Sequence, residues 1–409
     1  MVKASKQDRA FRAGTAWLSK VNTRRLPSGP RAGIGASMGR GSQPVIELTV
    51  GSDEFWPRAS ADMARAQRRV LVQAMTFEGD AAGQAVAAAI QASPAVDRRV
   101  LVDDYTRHVI NDRFLALSRD PALQAEAAAT WAMFDALLSS GAGLRLTNPI
   151  GRNPLRYATR NHKKLLVIDD AAWIGGINFS DHNFAWHDMM VRIADPAVAD
   201  WLAGEFERDW SGKAASSAAT RSGVDLLNLD GHANEAGFAP LLNLIAGAQS
   251  SIEVVSAYPT FPFVDALAAA AARGLPVRLY TPRPNNKPGI RNYLLGVAAK
   301  SGLDIRLTPM MTHAKGMLVD GEALVIGSSN FDFVSHRANA EYVATIRDAG
   351  LIADFTARML EPLRQGASAP QPGEHSVWRA WRARTGLRVA DVLVSFLDHG
   401  PRIADWRKP

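Results

Sequence analysis

Asn161-His-Lys-Lys-Leu-Leu-Val-Ile-Asp-Asp170, then Ala171-Ala-Trp-Ile-Gly-Gly-Ile-Asn-Phe-Ser180, then Asp181-His-Asn-Phe-Ala-Trp-His-Asp188 is the stretch on which the fold turns. His162 and Lys164 stand two apart on an apolar run with strand character, so alternation directs both side chains to one face of a sheet. A second copy begins at His313: His-Ala-Lys-Gly-Met-Leu-Val-Asp, a short turn, then Gly-Ser-Ser-Asn-Phe-Asp. The segment ahead of each copy recurs as well, Gly-Leu-Arg-Leu-Thr at 143–147 beside Leu-Asp-Ile-Arg-Leu-Thr at 303–308. Two ordered copies predict an internal duplication, giving two similar domains related by an approximate two-fold axis.

Outward from the copies, the chain alternates strands and helices. In the first half, strands are expected at Val70–Phe77, Arg99–Asp103 and Leu144–Thr147, with helices at Ala81–Ala92, Ala122–Ser139 and Trp201–Trp210. In the second, helices at Ala239–Ala248, Val264–Ala272 and Ile290–Ala299 alternate with strands at Ser251–Ala257, Val277–Thr281 and Ile305–Thr308. A polar stretch from Ser211 to Gly223 marks the boundary. The expected division is a basic arm and linker at 1–44, domains at 45–213 and 224–365, and a hinge with a helical extension at 366–409.

Both ends are basic. Phe11, Trp17, Leu18 and Val21 lie at helical spacing among lysines and arginines, the pattern of an amphipathic helix on an anionic membrane or of a helix packed on the body. Near the other end, Trp378, Trp381, Leu387, Val392, Leu393 and Phe396 share Val377–Leu397 with four arginines. Large apolar groups usually seek a core, so this segment is expected to pack across the body rather than to contact a membrane.

At 409 residues the chain exceeds one ordinary domain, and its 47% hydrophobic content fits a globular enzyme rather than a disordered chain. Lysine and arginine total 47 against 40 acidic residues, an excess that suits phosphate on nucleic acid or on lipid. The absence of cysteine excludes disulfides, thiolate metal sites and cysteine nucleophiles. No continuous apolar core follows the basic N-terminus, and no apolar run approaches membrane-spanning length. A cytoplasmic protein, soluble or peripheral on the membrane surface, is expected.

Cleaving a phosphodiester needs a nucleophile for phosphorus, a proton donor for the leaving oxygen and cations over the developing charge. Histidine can fill the first two roles and lysine the third, while the amides of Asn178 and Asn330 can donate to phosphate oxygens. Each half holds one histidine and one lysine of the motif, so a two-step displacement needs both halves and the site is expected at their seam. Asp169 and Asp320 have the wrong parity for the catalytic face, and each precedes a turn of the kind where Asp bonds the backbone. Both read as structural supports. Asp188 and Glu341 are better placed to orient the histidines. A metal site at His162, His182 and His187 is disfavoured because the lysines would repel a cation and no Asp or Glu cluster shows ligand spacing; neither metal nor other cofactor is expected. His182 and His187 read as pocket wall, His108, His232 and His336 as surface or loop groups, and Asp103-Asp104 as a solvated turn.

The paired pattern resembles the signature of the phospholipase D superfamily, His-x-Lys-x-x-x-x-Asp followed by Gly-Gly/Ser-x-Asn. His162, Lys164, Asp169, Gly175, Gly176 and Asn178 match one copy; His313, Lys315, Asp320, Gly327, Ser328 and Asn330 match the other. The duplicated form is similar to the cardiolipin synthase and phospholipase D branches. The resemblance implies an α/β fold of two phospholipase D-like α/β/α domains, each a mixed sheet flanked by helices, with the site at a pseudo-two-fold seam. It implies a phosphatidyltransferase acting on phospholipid through a phosphohistidine, with His162 as nucleophile, His313 as general acid/base, and an acidic residue in the region of Asp188 and Glu341. A phospholipase D hydrolase differs only in letting water resolve the intermediate. A nuclease could use the same site, but no nucleic-acid module is recognised, and an inactive lipid- or nucleic-acid-binding protein would not need all four motif histidines and lysines. A phospholipid substrate is the expected partner, with the basic termini as the candidate points of any peripheral membrane contact.

Overall fold

The computed structural model describes residues 44–151, 154–397 and 402–406. The basic helix expected within residues 1–25, and nearly all of the linker that follows it, lie outside these. Fifteen strands build two mixed sheets, and a sixteenth joins from the C-terminal region. The first half contributes β1 (Val45–Val50), β2 (Arg69–Ala74), β3 (Asp97–Asp103), β4 (Gly143–Thr147), β5 (Leu165–Ile168), β6 (Ala171–Gly175) and β7 (Met189–Ala194). The second contributes β8 (Ser217–Arg221), β9 (Val224–Asp230), β10 (Ile252–Val255), β11 (Val277–Pro282), β12 (Asp304–Thr308), β13 (Gly316–Val319), β14 (Ala323–Gly327) and β15 (Ala340–Ile346). The last is β16 (Ile403–Asp405).

The sheet orders are β1-β7-β6-β5-β2-β3-β4-β16 and β8-β9-β15-β14-β13-β10-β11-β12. Without β16 and β8 the two orders correspond strand for strand, and in each the three strands at one end run parallel while the others are antiparallel. The duplication read from the motifs is therefore a duplication of topology. The stretch expected to be only a polar boundary contains β8, a largely exposed edge strand that needs just one hydrogen-bonding neighbour and so little apolar content.

Alternation sorts the core into layers. In β5, Leu165 and Val167 face inward with Val191 and Ile193, whereas Leu166 and Ile168 face outward with Phe134 and Trp173. The inward faces of both sheets share one core, in which Leu318, Leu324 and Ile326 of the second half are joined by Phe206 from the helix Pro196–Trp210 and by Phe355 from the helix Ala349–Phe355. Burying a large apolar side chain is worth about 1.5–3 kcal/mol, so the halves are held by a core and not merely by a rim. Helices on both sides of the sheets begin at ordinary caps: Asp80, Asp120, Asp195 and Asp348 each accept a first-turn backbone N–H.

The residues after the repeat cover corresponding edges of the two sheets. Ser368 bridges Leu307 of β12, and β16 pairs with β4 through Ile403 and Thr147. Between them, the helix Val377–Ser395 packs on the helix Pro288–Ser301 of the second half.

Each β-hairpin of the motif turns on its aspartate, which adopts a left-handed conformation: φ is 47° at Asp169 and 55° at Asp320. The Asp169 carboxylate accepts the backbone N–H groups of Gln67, Arg68 and Arg69 at 2.8–3.0 Å, pinning the hairpin to the entry of β2. Asp320 does the same for Gln249, Ser250 and Ser251 at the entry of β10. Replacing Asp169 by Ala should lower the unfolding free energy by about 1–3 kcal/mol through the orphaned backbone donors. Denaturant melts with an unchanged midpoint would refute this.

Candidate active site

His162 and Lys164 lie in an extended lead-in before β5, not within the strand itself; only Asn161 is bridged, and its partner belongs to the other half. The His162 N–H donates to the Ala340 carbonyl at 2.9 Å and the Ala340 N–H donates to the Arg160 carbonyl at 2.9 Å. The second half mirrors this: the His187 N–H donates to Met311 at 3.0 Å and the His313 N–H to His187 at 2.8 Å. Each motif histidine is thus stitched by backbone to the strand, or strand entry, that carries the opposite half's acidic residue.

The side chains cross as the backbones do. Nδ1 of His162 lies 3.1 Å from Glu341 Oε1, and Nδ1 of His313 lies 2.7 Å from Asp188 Oδ2. An ionised carboxylate can only accept, so each Nδ1 carries the hydrogen and each Nε2 presents its lone pair. Glu341 is itself held by the hydroxyls of Ser335, at 2.7 Å, and Ser328, while Asp188 accepts its neighbour's N–H from Met189 at 2.8 Å. Lys164 donates to the His162 carbonyl at 2.7 Å. Lys315 donates to the His313 carbonyl, and its Nζ also sits 2.8 Å from Nε2 and 2.9 Å from Nδ1 of that ring.

All six groups are buried, and the electrostatics follow from that. Burial, then the neighbouring Lys164, pushes His162 down to about 4 against the pull of Glu341. Burial and Lys315 push His313 down to about 3. Lys164 falls to about 7 through burial and the charge of Lys315, and Lys315 to about 8 chiefly through burial. Burial works against ionisation of Asp188 and Glu341 too, but the lysines and histidines outweigh it and hold both below the ordinary carboxylate range. Each half's lysine depresses the other half's histidine, so the two motif pairs occupy one site.

Asn178 and Asn330, in the tails of the two motifs, are buried. Asn178 Oδ1 accepts the Thr76 N–H at 3.4 Å, leaving its amide hydrogens for another partner. Asn330 is fixed through its backbone carbonyl, which accepts from Ser256 at 2.8 Å, while its Oδ1 has no hydrogen bond. The tail glycines are required by close approach: a Cβ on Gly176 would lie 2.2 Å from Asp188 Oδ1, and one on Gly327 2.1 Å from the Tyr342 carbonyl. Asp169 and Asp320, by contrast, sit seven residues beyond the histidines at the far ends of β5 and β13, roughly 23 Å away along extended chain.

A profile of the family described as "Cardiolipin synthase, PLD-like domain" matches residues 60–210 and 241–361. The chain belongs to this family. Each matched segment of the cardiolipin synthase-like chain holds one histidine–lysine pair. Cardiolipin synthase B of Shigella flexneri is 26% identical over 397 residues, covering 88% of this chain and 89% of the relative. Cardiolipin synthase A of Pseudomonas fluorescens (strain SBW25) is 25% identical over 384 residues, covering 86% and 75% respectively. Among solved structures, phosphatidylserine synthase from Haemophilus influenzae Rd KW20 aligns at a TM-score of 0.66 over 86% of this chain and 95% of that one; at 17% identity the likeness concerns the fold.

Several neighbours of the site in this family member had little or no sequence signal. Trp186 packs on His313 at 4.9 Å between ring centroids, and Tyr258 faces the same ring at 5.9 Å with Lys287 4.2 Å above it. Trp186 lies in the opening stretch, but Tyr258 and Lys287 come from loops after β10 and β11 that carry no motif. His182 packs on Trp186 as pocket wall, and His187 contributes through its backbone. Asp103 and Asp104 are not a solvated turn: both are buried, Asp103 pairing with Arg160 at 2.7 Å and accepting the Asn161 N–H, which anchors the lead-in to His162. Among the described residues Glu78, Asp80 and Glu126 do form a carboxylate cluster, hidden in sequence because Glu126 comes from a distant helix. Burial, and behind it Asp80 and Glu126, pushes Glu78 up to about 9.

Free imidazole groups titrate near 6.5, and both motif rings lie far lower. As pH falls the unfolded chain therefore takes up these protons first, so their contribution to stability is full above about 6.5 and is lost on the way to about 4 for His162 and about 3 for His313. Thermal melts should decline over that window, and nitrogen-resolved NMR should find both rings neutral at about pH 5. A ring of His162 or His313 titrating at its ordinary value would contradict this.

Proposed function

We propose that this protein is a phosphatidyltransferase that moves a phosphatidyl group between phospholipid and alcohol, as a cardiolipin synthase does, through a phosphohistidine on His162. The observation that carries the reading is the pair of buried histidines, each braced at Nδ1 by a carboxylate of the other half, with both lysines beside them. Nε2 of His162 attacks phosphorus while the bond to the leaving alcohol breaks, and Nε2–H of protonated His313 delivers its proton to that oxygen. His313, now a base, takes the proton of the incoming alcohol, whose oxygen attacks phosphorus and releases His162.

The asymmetry of the two rings supports this order. Lys315 lies against both nitrogens of the His313 ring, whereas Lys164 bonds the carbonyl of His162 and leaves its Nε2 lone pair to a phosphorus atom. Burial and the lysines depress His313 in the free site, and a bound phosphodiester anion supplies the opposing charge that lets the ring hold its acid proton. Lys164, Lys315 and the amides of Asn178 and Asn330 receive the non-bridging oxygens, the two lysines losing their mutual repulsion as they do so. Asp188 and Glu341 fix the tautomers and stabilise each imidazolium.

Phospholipid substrates reside in bilayers, so the proposal includes a cytoplasmic protein that meets a membrane surface; no described helix is long and apolar enough to cross one. The test is incubation with phosphatidylglycerol in mixed micelles and, separately, with single-stranded DNA. Diphosphatidylglycerol with released glycerol is expected; phosphatidic acid alone would make the enzyme a hydrolase, and cut DNA without lipid products would sink the reading. His162→Ala and His313→Ala should each reduce turnover by about 10³-fold or more, with chelators having no effect. Asp188→Asn should slow turnover by about 10²-fold or more with little change in melting temperature, and Asp169→Asn should do the reverse.

A further inference from the structure

The helix Val377–Ser395 has two apolar faces, and one of them is uncovered. Ala380 and Val394 are buried, with Ala383, Leu387 and Ala390 packed beside them, and Gly296 of the neighbouring helix leaves room for Ala380. On the other side Trp378, Trp381, Val389, Val392, Leu393 and Phe396 are 54–81% exposed. At 3.6 residues per turn these six fall in one stripe roughly a third of the circumference wide. Trp378 and Trp381 stack at 4.9 Å within it. A contiguous apolar patch of this kind marks a contact surface rather than scattered surface residues.

Charge selects what it contacts. The helix carries Arg379, Arg382, Arg384 and Arg388 against the single Asp391. Arg388 is committed to Asp265 at 2.9 Å, and Asp391 to Arg337 at 2.8 Å. Arg379, Arg382 and Arg384 are exposed and make no ion pair among the described residues. Arg379 and Arg384 fall on opposite margins of the apolar stripe and Arg382 within it, so a second copy meeting this face symmetrically would set arginine against arginine. Tryptophan and arginine on one exposed helix face suit the headgroup boundary of an anionic bilayer, with rings among the upper acyl chains and guanidinium groups on phosphates.

The face is also connected to the site. The helix beneath it starts at Pro288, next to Lys287 over Tyr258, which faces His313. Its 14 residues span about 21 Å. We infer that Val377–Ser395 is a membrane-docking helix that lies on an anionic phospholipid surface through Trp378, Trp381, Val392 and Phe396, with Arg379, Arg382 and Arg384 on lipid phosphates. This rests on the phospholipid reading of the site and names the face by which the enzyme meets its substrate.

The test is co-sedimentation of the full chain with vesicles of phosphatidylglycerol mixed with phosphatidylcholine, beside vesicles of phosphatidylcholine alone. Binding should favour the mixed vesicles and weaken with salt. Combining Trp378→Ser, Trp381→Ser and Val392→Ser should reduce it on the order of tenfold, and Arg379→Glu with Arg382→Glu should abolish the preference for anionic vesicles. Both variants should turn over dispersed short-chain phosphatidylglycerol at the unmodified rate, which separates docking from chemistry. Helix-dependent binding by a chain that turns over no phospholipid would leave docking standing and fell the activity. Unchanged binding in the triple serine variant overturns the proposal, as does a lipid-free dimer that this variant dissociates, or binding that depends only on residues 1–43.

Discussion

The two imidazole–carboxylate hydrogen bonds that cross the seam constrain everything around them. His162 depends on Glu341 and His313 on Asp188, partners 179 and 125 residues away. In a buried, low-dielectric setting an unpaired carboxylate or imidazolium is costly, so neither half can bury its own histidine and acid without the other. The backbone bridges of Asn161 to Ala340 and of His187 to Thr312 set each pair in register. The shared apolar core then holds the register fixed. The seam is thus an obligatory interface and not a cleft between independent bodies.

Within that near-symmetry the halves are chemically unequal. Glycine at position 176 leaves space for the shorter Asp188, while Ser328 at the equivalent position donates to the longer Glu341. Lys163 sends its Nζ inward to Asp209 at 2.7 Å and over the Tyr342 ring, whereas its counterpart Ala314 is ordinary apolar core. Lys315 lies against both nitrogens of its own histidine ring, whereas Lys164 bonds the His162 carbonyl. In the proposed two-step displacement, such differences would let one ring act as nucleophile and the other as proton donor.

The duplication, the strand–helix order and the four motif side chains were legible in the sequence because each rests on local periodicity or on paired spacing. The helix Ala81–Ala92 even matches its expected bounds. Parity along β5 also separated Asp169 from the histidine, and the hairpin geometry gives the reason. What was illegible depends on contacts between distant segments. Nothing in spacing alone says that Asp188 serves His313 rather than His162. Tyr258 and Lys287 reach the site from unpatterned loops, and Asp103 looked like a solvated turn because its partner Arg160 is 57 residues on. The sequence reads Val377–Leu397 as packed, which holds for one face of the helix; a helix apolar on both sides gives no periodic sign of which face is covered.

The pairing of β16 with β4 joins residues 256 apart in the chain, Ile403 with Thr147. On a growing polypeptide the outer edge of the first sheet therefore stays unpaired while the whole second half is being made. Open edges recruit stray strands, and closures of long sequence separation are slow. The first half is in this sense born unfinished: its sheet and His162 both wait for segments that emerge much later, so the order of synthesis delays assembly of a reactive site until its partner half exists.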